Sequence, residues 1–168
     1  MVDHPPFARP RHDHDRCVTD ALVAAAAVCA ARGLKLTALR QRVLELVWAG
    51  HGPVGAYDLL QALAREDARA VQPPTVYRAL EFLREAGLVH RIDTLNAFIG
   101  CGRPGEPHGG QMLVCRECKS VEEVNDSIIT GALAERAAAL GFLPDAGPLE
   151  IKGLCPACRQ AAAGTTAR

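Results

Sequence analysis

Apolar residues recur at helical spacing through the first half of the chain and then change to short extended runs. An Ala-rich stretch from Thr19 to Arg32 predicts a helix that Gly33 ends. Thr37 suits an N-cap, and Leu39, Val43, Leu46 and Val47 follow at helical spacing until Gly50. Gly55 to Arg65 predicts a third helix with Leu59, Leu60 and Leu63 apolar. After Gln72-Pro73-Pro74-Thr75 comes a fourth. It has Val76, Leu80 and Leu83 on one face, Tyr77, Arg78, Glu81 and Arg84 on the others, and Gly87 as its stop. Leu88–Ile92 and Ala97–Ile99 then read as two strands around a turn at Thr94-Leu95-Asn96. Short helices followed by a hairpin predict a winged helix-turn-helix, with the fourth helix in the recognition position.

The second half opens on a Gly/Pro-rich loop, residues 100–110. Gln111–Val114 and Ser120–Val124 predict strands on either side of a tight knuckle, Cys115-Arg116-Glu117-Cys118. Ser127–Leu140 predicts a helix closed by Gly141, and Leu149–Leu154 a third strand entering a second knuckle, Cys155-Pro156-Ala157-Cys158. The expected fold class is therefore α+β, an N-terminal winged helix-turn-helix domain plus a small C-terminal α/β domain. The expected boundaries are a flexible tail over 1–16, the winged helix over 17–93 and a hinge over 94–104. The second domain is expected over 105–160 and a frayed tail over 161–168.

Composition narrows the function classes. Hydrophobic residues make up 49% of the 168, ordinary for a folded protein, and no apolar run is long enough to span a membrane. The polar start lacks the apolar stretch of a secretory signal, so a cytoplasmic location is expected. Net charge is zero, yet residues 32–92 hold nine Lys/Arg against six Asp/Glu, and residues 93–168 hold seven against nine. The mildly basic half is the predicted winged helix, which gives weak support for a DNA-facing domain there.

Seven cysteines point to metal or redox chemistry in a cytosolic chain rather than to structural disulfides. Four of them form two C-x-x-C pairs, and two such knuckles present four thiolates to one tetrahedral zinc. The 36 residues between the pairs hold a strand, a helix and a returning strand, enough to carry the second knuckle back to the first. Cys-Pro-Ala-Cys also resembles a dithiol redox motif. That motif needs a following helix and most of a sheet, whereas ten residues remain here. Hydrolytic zinc chemistry lacks its H-E-x-x-H or H-x-E signature, so no enzyme is expected and no small organic substrate.

These motifs together resemble the ferric-uptake-regulator (Fur) superfamily of metal-responsive repressors. Leu36-Thr37-Ala38-Leu39-Arg40 stands where the family has Leu-Thr-Pro-Gln-Arg. Ala56-Tyr57-Asp58-Leu59-Leu60 resembles its third-helix motif, and Pro74-Thr75-Val76-Tyr77-Arg78-Ala79-Leu80 its recognition helix. The likeness covers about residues 20–160 and is strongest to the zinc uptake regulators (Zur), by Leu-Val-His90, Cys101 after a strand and Gly-Leu-Cys-Pro-Ala-Cys. Iron and peroxide sensors typically carry a His-rich run before the first knuckle, where this chain has Pro107-His108-Gly109-Gly110-Gln111. Ala38 in place of the helix-starting Pro and the 16-residue tail are departures.

The resemblance implies two zinc ions per monomer. One is structural, on Cys115, Cys118, Cys155 and Cys158; the other is sensory, on His90, Cys101, His108 and Glu123. Two imidazoles, a thiolate and a carboxylate form a plausible four-coordinate zinc shell, with Glu122 as the alternative carboxylate. His51 falls out of step with the third-helix histidine of iron sensors, and Cys29 in its Ala/Val-rich helix reads as core. Cys17, His4, His12 and His14 are left for adventitious metal. The implied partners are a second copy of the chain and double-stranded operator DNA. Tyr77, Arg78 and Thr75 would face the groove, with Arg40, Arg84 and Lys35 nearer phosphates. The expected function is a zinc-responsive repressor of zinc-uptake genes. The alternatives are a relative answering to iron, manganese, nickel or peroxide, and a constitutive zinc-stabilised DNA-binding protein.

Overall fold

A computed structural model describes residues 14–50, 52–66, 72–106, 110–145 and 147–165. The chain divides into two compact units with the boundary between Glu106 and Pro107. The N-terminal unit runs α1 (His14–Ala31), α2 (Ala38–Trp48), β1 (Val54–Gly55), α3 (Ala56–Glu66), α4 (Pro73–Glu85), β2 (Val89–Ile92) and β3 (Ala97–Gly100). The C-terminal unit runs β4 (Gln111–Cys115), β5 (Val121–Val124), α5 (Ser127–Ala139), β6 (Leu149–Gly153) and α6 (Pro156–Thr165).

In the N-terminal unit the periodic apolar residues meet at a single core. Ala25 and Cys29 of α1 pack with Val43, Leu44 and Val47 of α2, Leu59 and Leu63 of α3, and Val76, Leu80 and Leu83 of α4. Each of the larger side chains holds about 2–5 kcal/mol against truncation to alanine. Two polar links fix the helices around this core. Arg32, just past α1, donates to the Ala86 carbonyl (2.9 Å), one of the carbonyls left over at the end of α4. Arg42 of α2 donates from Nε to Glu66 of α3 (2.8 Å) and from Nη1 to Glu45 (2.6 Å), which aligns α2 with α3.

Helix starts follow local chemistry. Thr37 is extended (φ −74, ψ 162) and its hydroxyl accepts from the Arg40 N–H, so Ala38 in the position of a helix-starting Pro leaves the cap intact. Pro73 and Pro74 open α4, where a proline's missing N–H forfeits nothing.

The wing is a three-stranded sheet in the order β1-β3-β2, all antiparallel. One 3-10 turn over Asp93–Leu95 and Asn96 in the left-handed region (φ 48) reverse the chain between β2 and β3. Gly100 ends β3 against the indole of Trp48. A Cβ there would stand 2.3 Å from Trp48 Cε2, so the strand can lie this close to α2 only with glycine at that place.

The C-terminal unit centres on β4, in the order β5-β4-β6. β4 pairs antiparallel with β5 and parallel with β6, and α5 supplies the crossover. Gln111, 2% exposed, joins strand to helix: its amide donates to Thr130 Oγ1 (2.8 Å) and accepts from the Asp126 N–H (3.1 Å). Asp126 caps α5 by accepting from the Ile128 and Ile129 N–H groups, and Gly141 (φ 67) ends it.

Several boundaries differ from expectation. α1 begins at His14, within the expected tail, with Asp15 in its first turn and Thr19 bonded back to the Asp15 carbonyl; residues 1–13 lie outside the described ones. The expected hinge over 94–104 contains β3, because Ala97–Gly100 completes the wing sheet. The expected frayed end is helical to Thr165, since Pro156 starts α6 and Ala161–Ala163 propagate it. A helix therefore does follow Cys-Pro-Ala-Cys, contrary to the ground on which the redox motif was set aside. β1, two residues long, gave no periodic signal.

Gly100→Ala should cost about 1–3 kcal/mol by overpacking against Trp48. Trp48 is the only tryptophan, so its fluorescence reports the contact directly. An unchanged thermal midpoint with unchanged emission would show that the contact bears no strain.

Candidate metal centre and nucleic-acid interface

The parallel register of β4 and β6 assembles the four-cysteine cluster. Cys115, the last residue of β4, pairs with Gly153 of β6, and the Arg116 N–H continues the ladder to the Gly153 carbonyl (2.9 Å). Cys155 thus arrives two residues beyond the rung that holds Cys115. The first knuckle turns through Lys119 at φ 62, with the Lys119 N–H on the Cys115 carbonyl (3.1 Å) and the Cys115 N–H on the Ser120 carbonyl (2.9 Å). The second turns into α6.

All four sulfurs lie within 4.8 Å of one another, and Cys118 and Cys155 are 3.7 Å apart. A tetrahedron with metal–sulfur bonds of about 2.3 Å has edges of about 3.8 Å, so the spacing fits a tetrahedral zinc shell. Backbone N–H groups point at the sulfurs: Cys155 N–H at Cys115 (3.4 Å) and Cys158 N–H at Cys155 (3.5 Å). The Cys155 N–H lowers the Cys115 thiol to about 6, and the Ser120 hydroxyl lowers Cys118. Cys158 is pushed up to about 12 by its hydrogen bonds to the Cys155 and Cys118 sulfurs, which retain its proton. Four thiolates cannot crowd together uncompensated; a divalent cation compensates them and displaces the remaining protons.

Two of the expected sensory ligands sit side by side in the wing. His90 pairs with Ile99 across β2 and β3, and Cys101 follows β3 with its N–H on the Leu88 carbonyl (3.0 Å). The alternation of strands puts His90 and Cys101 on one face, with an imidazole nitrogen and the sulfur within 4.8 Å. Glu123 lies on β5 of the C-terminal unit, opposite Met112, while Glu122 lies on the other face, opposite Leu113. The Glu123 carboxylate accepts from Asn125 Nδ2 (3.2 Å). His108 and His51 fall outside the described residues, and Cys29 is buried in the core, as its apolar helix implied.

α4 presents its polar side outward. Val76, Ala79, Leu80 and Leu83 are buried, whereas Arg78, Arg84 and Tyr77, the last 57% exposed, face solvent. Arg78 Nε donates to the Pro74 carbonyl (3.3 Å), which steers its guanidinium along the helix start. Thr75 and Arg78 of α4, with Leu39 and Arg40 of α2 and its cap Thr37, line an open depression of about 230 Å³. Arg40 donates from Nη1 to the Lys35 carbonyl (2.6 Å). Lys35 is exposed nearby in sequence. Sequence reasoning missed Phe82, whose ring lies under the Arg40 guanidinium, because the contact joins two helices.

The C-terminal unit leaves much apolar surface uncovered. Ile128, Leu133, Leu140, Phe142 and Leu143 on and after α5 are exposed, as is Ile151 on β6. So large a patch on so small a unit marks an association face.

The sequence matches the Ferric uptake regulator family over residues 31–151. It is 37% identical over 146 residues to the zinc uptake regulation protein of Escherichia coli (strain K12), covering 86% of this chain and 85% of that one. Among solved structures it is similar to a zinc uptake regulator complexed with zinc and DNA. That match has a TM-score of 0.80 and 35% identity over 87% of this chain and 97% of the other. It is also similar to holo XcZur, with a TM-score of 0.76 and 41% identity over 84% and 98% of the two chains.

Cys118→Ser removes one corner of the tetrahedral shell. The variant should lose that zinc, measured by metal analysis, and with it the helical circular dichroism of the C-terminal unit or the dimer. A folded, dimeric Cys118→Ser protein carrying no zinc would remove the structural assignment.

Proposed function

The chain belongs to the ferric uptake regulator family, and from that membership we infer that it is a zinc-responsive repressor of zinc-uptake genes, not an enzyme. It binds operator DNA as a dimer, through α4 of the winged helix, and acts in the cytoplasm where that DNA lies. The observation that carries the reading is the cluster of four cysteine sulfurs, all within 4.8 Å of one another, in a chain similar in structure to a zinc uptake regulator complexed with zinc and DNA over 87% of its length.

Two zinc ions per monomer divide the work. Cys115, Cys118, Cys155 and Cys158 hold the structural ion; a closed shell of four thiolates leaves no open position for catalysis. His90, Cys101, His108 and Glu123 hold the sensory one. The adjacency of His90 and Cys101 on one face of the wing supports the pairing, and Glu123 is favoured over Glu122 because Glu122 shares its sheet face with Gln111, the residue bonded to α5. His90 and Cys101 belong to one unit and Glu123 to the other, so a metal that takes all of them restrains the units relative to each other. The exposed apolar face around α5 and β6 is covered by the second copy, which presents two recognition helices to two half-sites.

Regulation follows from linkage. Zinc that binds the DNA-competent arrangement better than others raises DNA affinity, and DNA raises zinc affinity by the same factor. A single thiolate beside two imidazoles and one carboxylate favours zinc over manganese, which prefers oxygen ligands.

Protein retaining only its structural zinc, titrated with buffered free zinc, ferrous iron or manganese, tests the assignment. The readout is binding to a duplex that the zinc-loaded protein selects from a random-sequence pool. Zinc should restore binding at the lowest free concentration, and His90→Ala or Cys101→Ser should abolish the response while the structural zinc and the dimer persist. Restoration by iron or manganese at lower concentration assigns the chain to another metal; binding independent of added metal makes it constitutive. On the same duplex Arg78→Ala should cost about 1–3 kcal/mol, the worth of a bidentate contact to guanine, with zinc content unchanged.

A further inference from the structure

Arg40 stands at the first turn of α2, and its guanidinium is held from two sides. Its Cζ lies 3.5 Å from the centroid of the Phe82 ring on α4, and its Nη1 donates to the Lys35 carbonyl at 2.6 Å. The same residue lines the depression between α2 and α4, with Thr37, Thr75 and Arg78. Phe82 itself is half-buried against the helical core, so the ring is an anchored platform and not a mobile surface group.

An arginine on a surface ordinarily samples many rotamers, and a phosphate contact must pay to stop that motion. A ring under the guanidinium plane and a carbonyl on one nitrogen stop it in advance, and they leave the remaining N–H groups in the plane, where an oxyanion binds. The depression beside them also presents the hydroxyl-bearing side chains of Thr37 and Thr75. That is the chemistry of a single phosphate seat, flanked by the first turns of α2 and α4.

We propose that Phe82 is a positioning residue for DNA binding: it fixes Arg40 over the depression between α2 and α4, where Arg40 meets one backbone phosphate of double-stranded DNA. The inference rests on the DNA-binding reading above and adds to it a residue that touches no DNA. Contact with a phosphate carries no sequence information; it sets where α4 lies along the groove.

A double-mutant cycle on the zinc-loaded protein and its selected duplex tests this, with affinity measured across a series of salt concentrations. Arg40→Ala should lower the slope of log affinity against log salt by about one unit. Phe82→Leu should weaken binding about two- to fivefold, the worth of an exposed cation–π contact, and flatten the slope in the same direction. In the Arg40→Ala background Phe82→Leu should change nothing, and Phe82→Tyr should bind as the unaltered protein does. Phe82→Met, unbranched and more adaptable than leucine and likewise without a π face, replaces Phe82→Leu if that variant unfolds. A purely packing role for Phe82 would lower the thermal midpoint without moving the salt slope and would persist undiminished in the Arg40→Ala background. Either of those results, or an Arg40→Ala protein with unaltered slope, overturns the proposal and leaves the repressor reading standing. Unaltered zinc-loaded protein that binds no duplex overturns both.

Discussion

The C-terminal unit depends on one pairing, the parallel alignment of β4 with β6. Antiparallel neighbours such as β4 and β5 need only a tight connection, and here that connection is the first knuckle. A parallel partner has to be brought back by a crossover, and α5 is that crossover. Once Gly153 stands opposite Cys115, both knuckles are at the same end of the sheet and the four sulfurs converge. The apolar residues of this unit do little to enforce the alignment. Met112 and Val114 are buried, but most apolar side chains of α5 and β6 face outward. Four clustered sulfurs at the end of the sheet offer a metal the closure that so small a core does not supply, and the exposed apolar side chains offer a face for association.

The N-terminal unit follows the opposite economy. Its core is continuous through four helices and into the wing, and it is fastened by Arg32 and Arg42 without any metal. It can therefore hold α4 rigidly while the wing carries His90 and Cys101 at its far edge. Trp48 sets the position of that edge, since β3 ends flat on its indole one residue before Cys101.

Much of this was legible in the sequence because the signals were periodic or chemically distinctive. The apolar spacing of Val76, Leu80 and Leu83 located α4, and its outward residues followed by subtraction. The two C-x-x-C pairs located the thiol cluster, and the intervening residues forecast strand, helix and strand in the observed order. The misses share a cause. β1 is two residues long and exists only because β3 offers it a partner, which no local pattern reports. β3 is legible as a strand, but so short a run does not mark where the wing ends, and the expected hinge over 94–104 overlaps it. α6 was concealed by the cysteines that begin it, since a metal knuckle and a helix start look alike in one dimension. The Phe82–Arg40 contact joins residues of two helices and depends on how those helices cross, so only coordinates reveal it.

The order of the knuckles along the chain has a bearing on biosynthesis. Cys118 leaves the ribosome 37 residues ahead of Cys155, so at about 5–20 residues per second the nascent chain spends about 2–7 s with half a shell. Two thiolates hold a metal loosely and choose poorly among soft ions, whereas four in a tetrahedron choose well. By then the whole N-terminal unit has been made and its core needs nothing downstream. The four-thiolate set is thus complete only once β6 has been made and has docked beside β4.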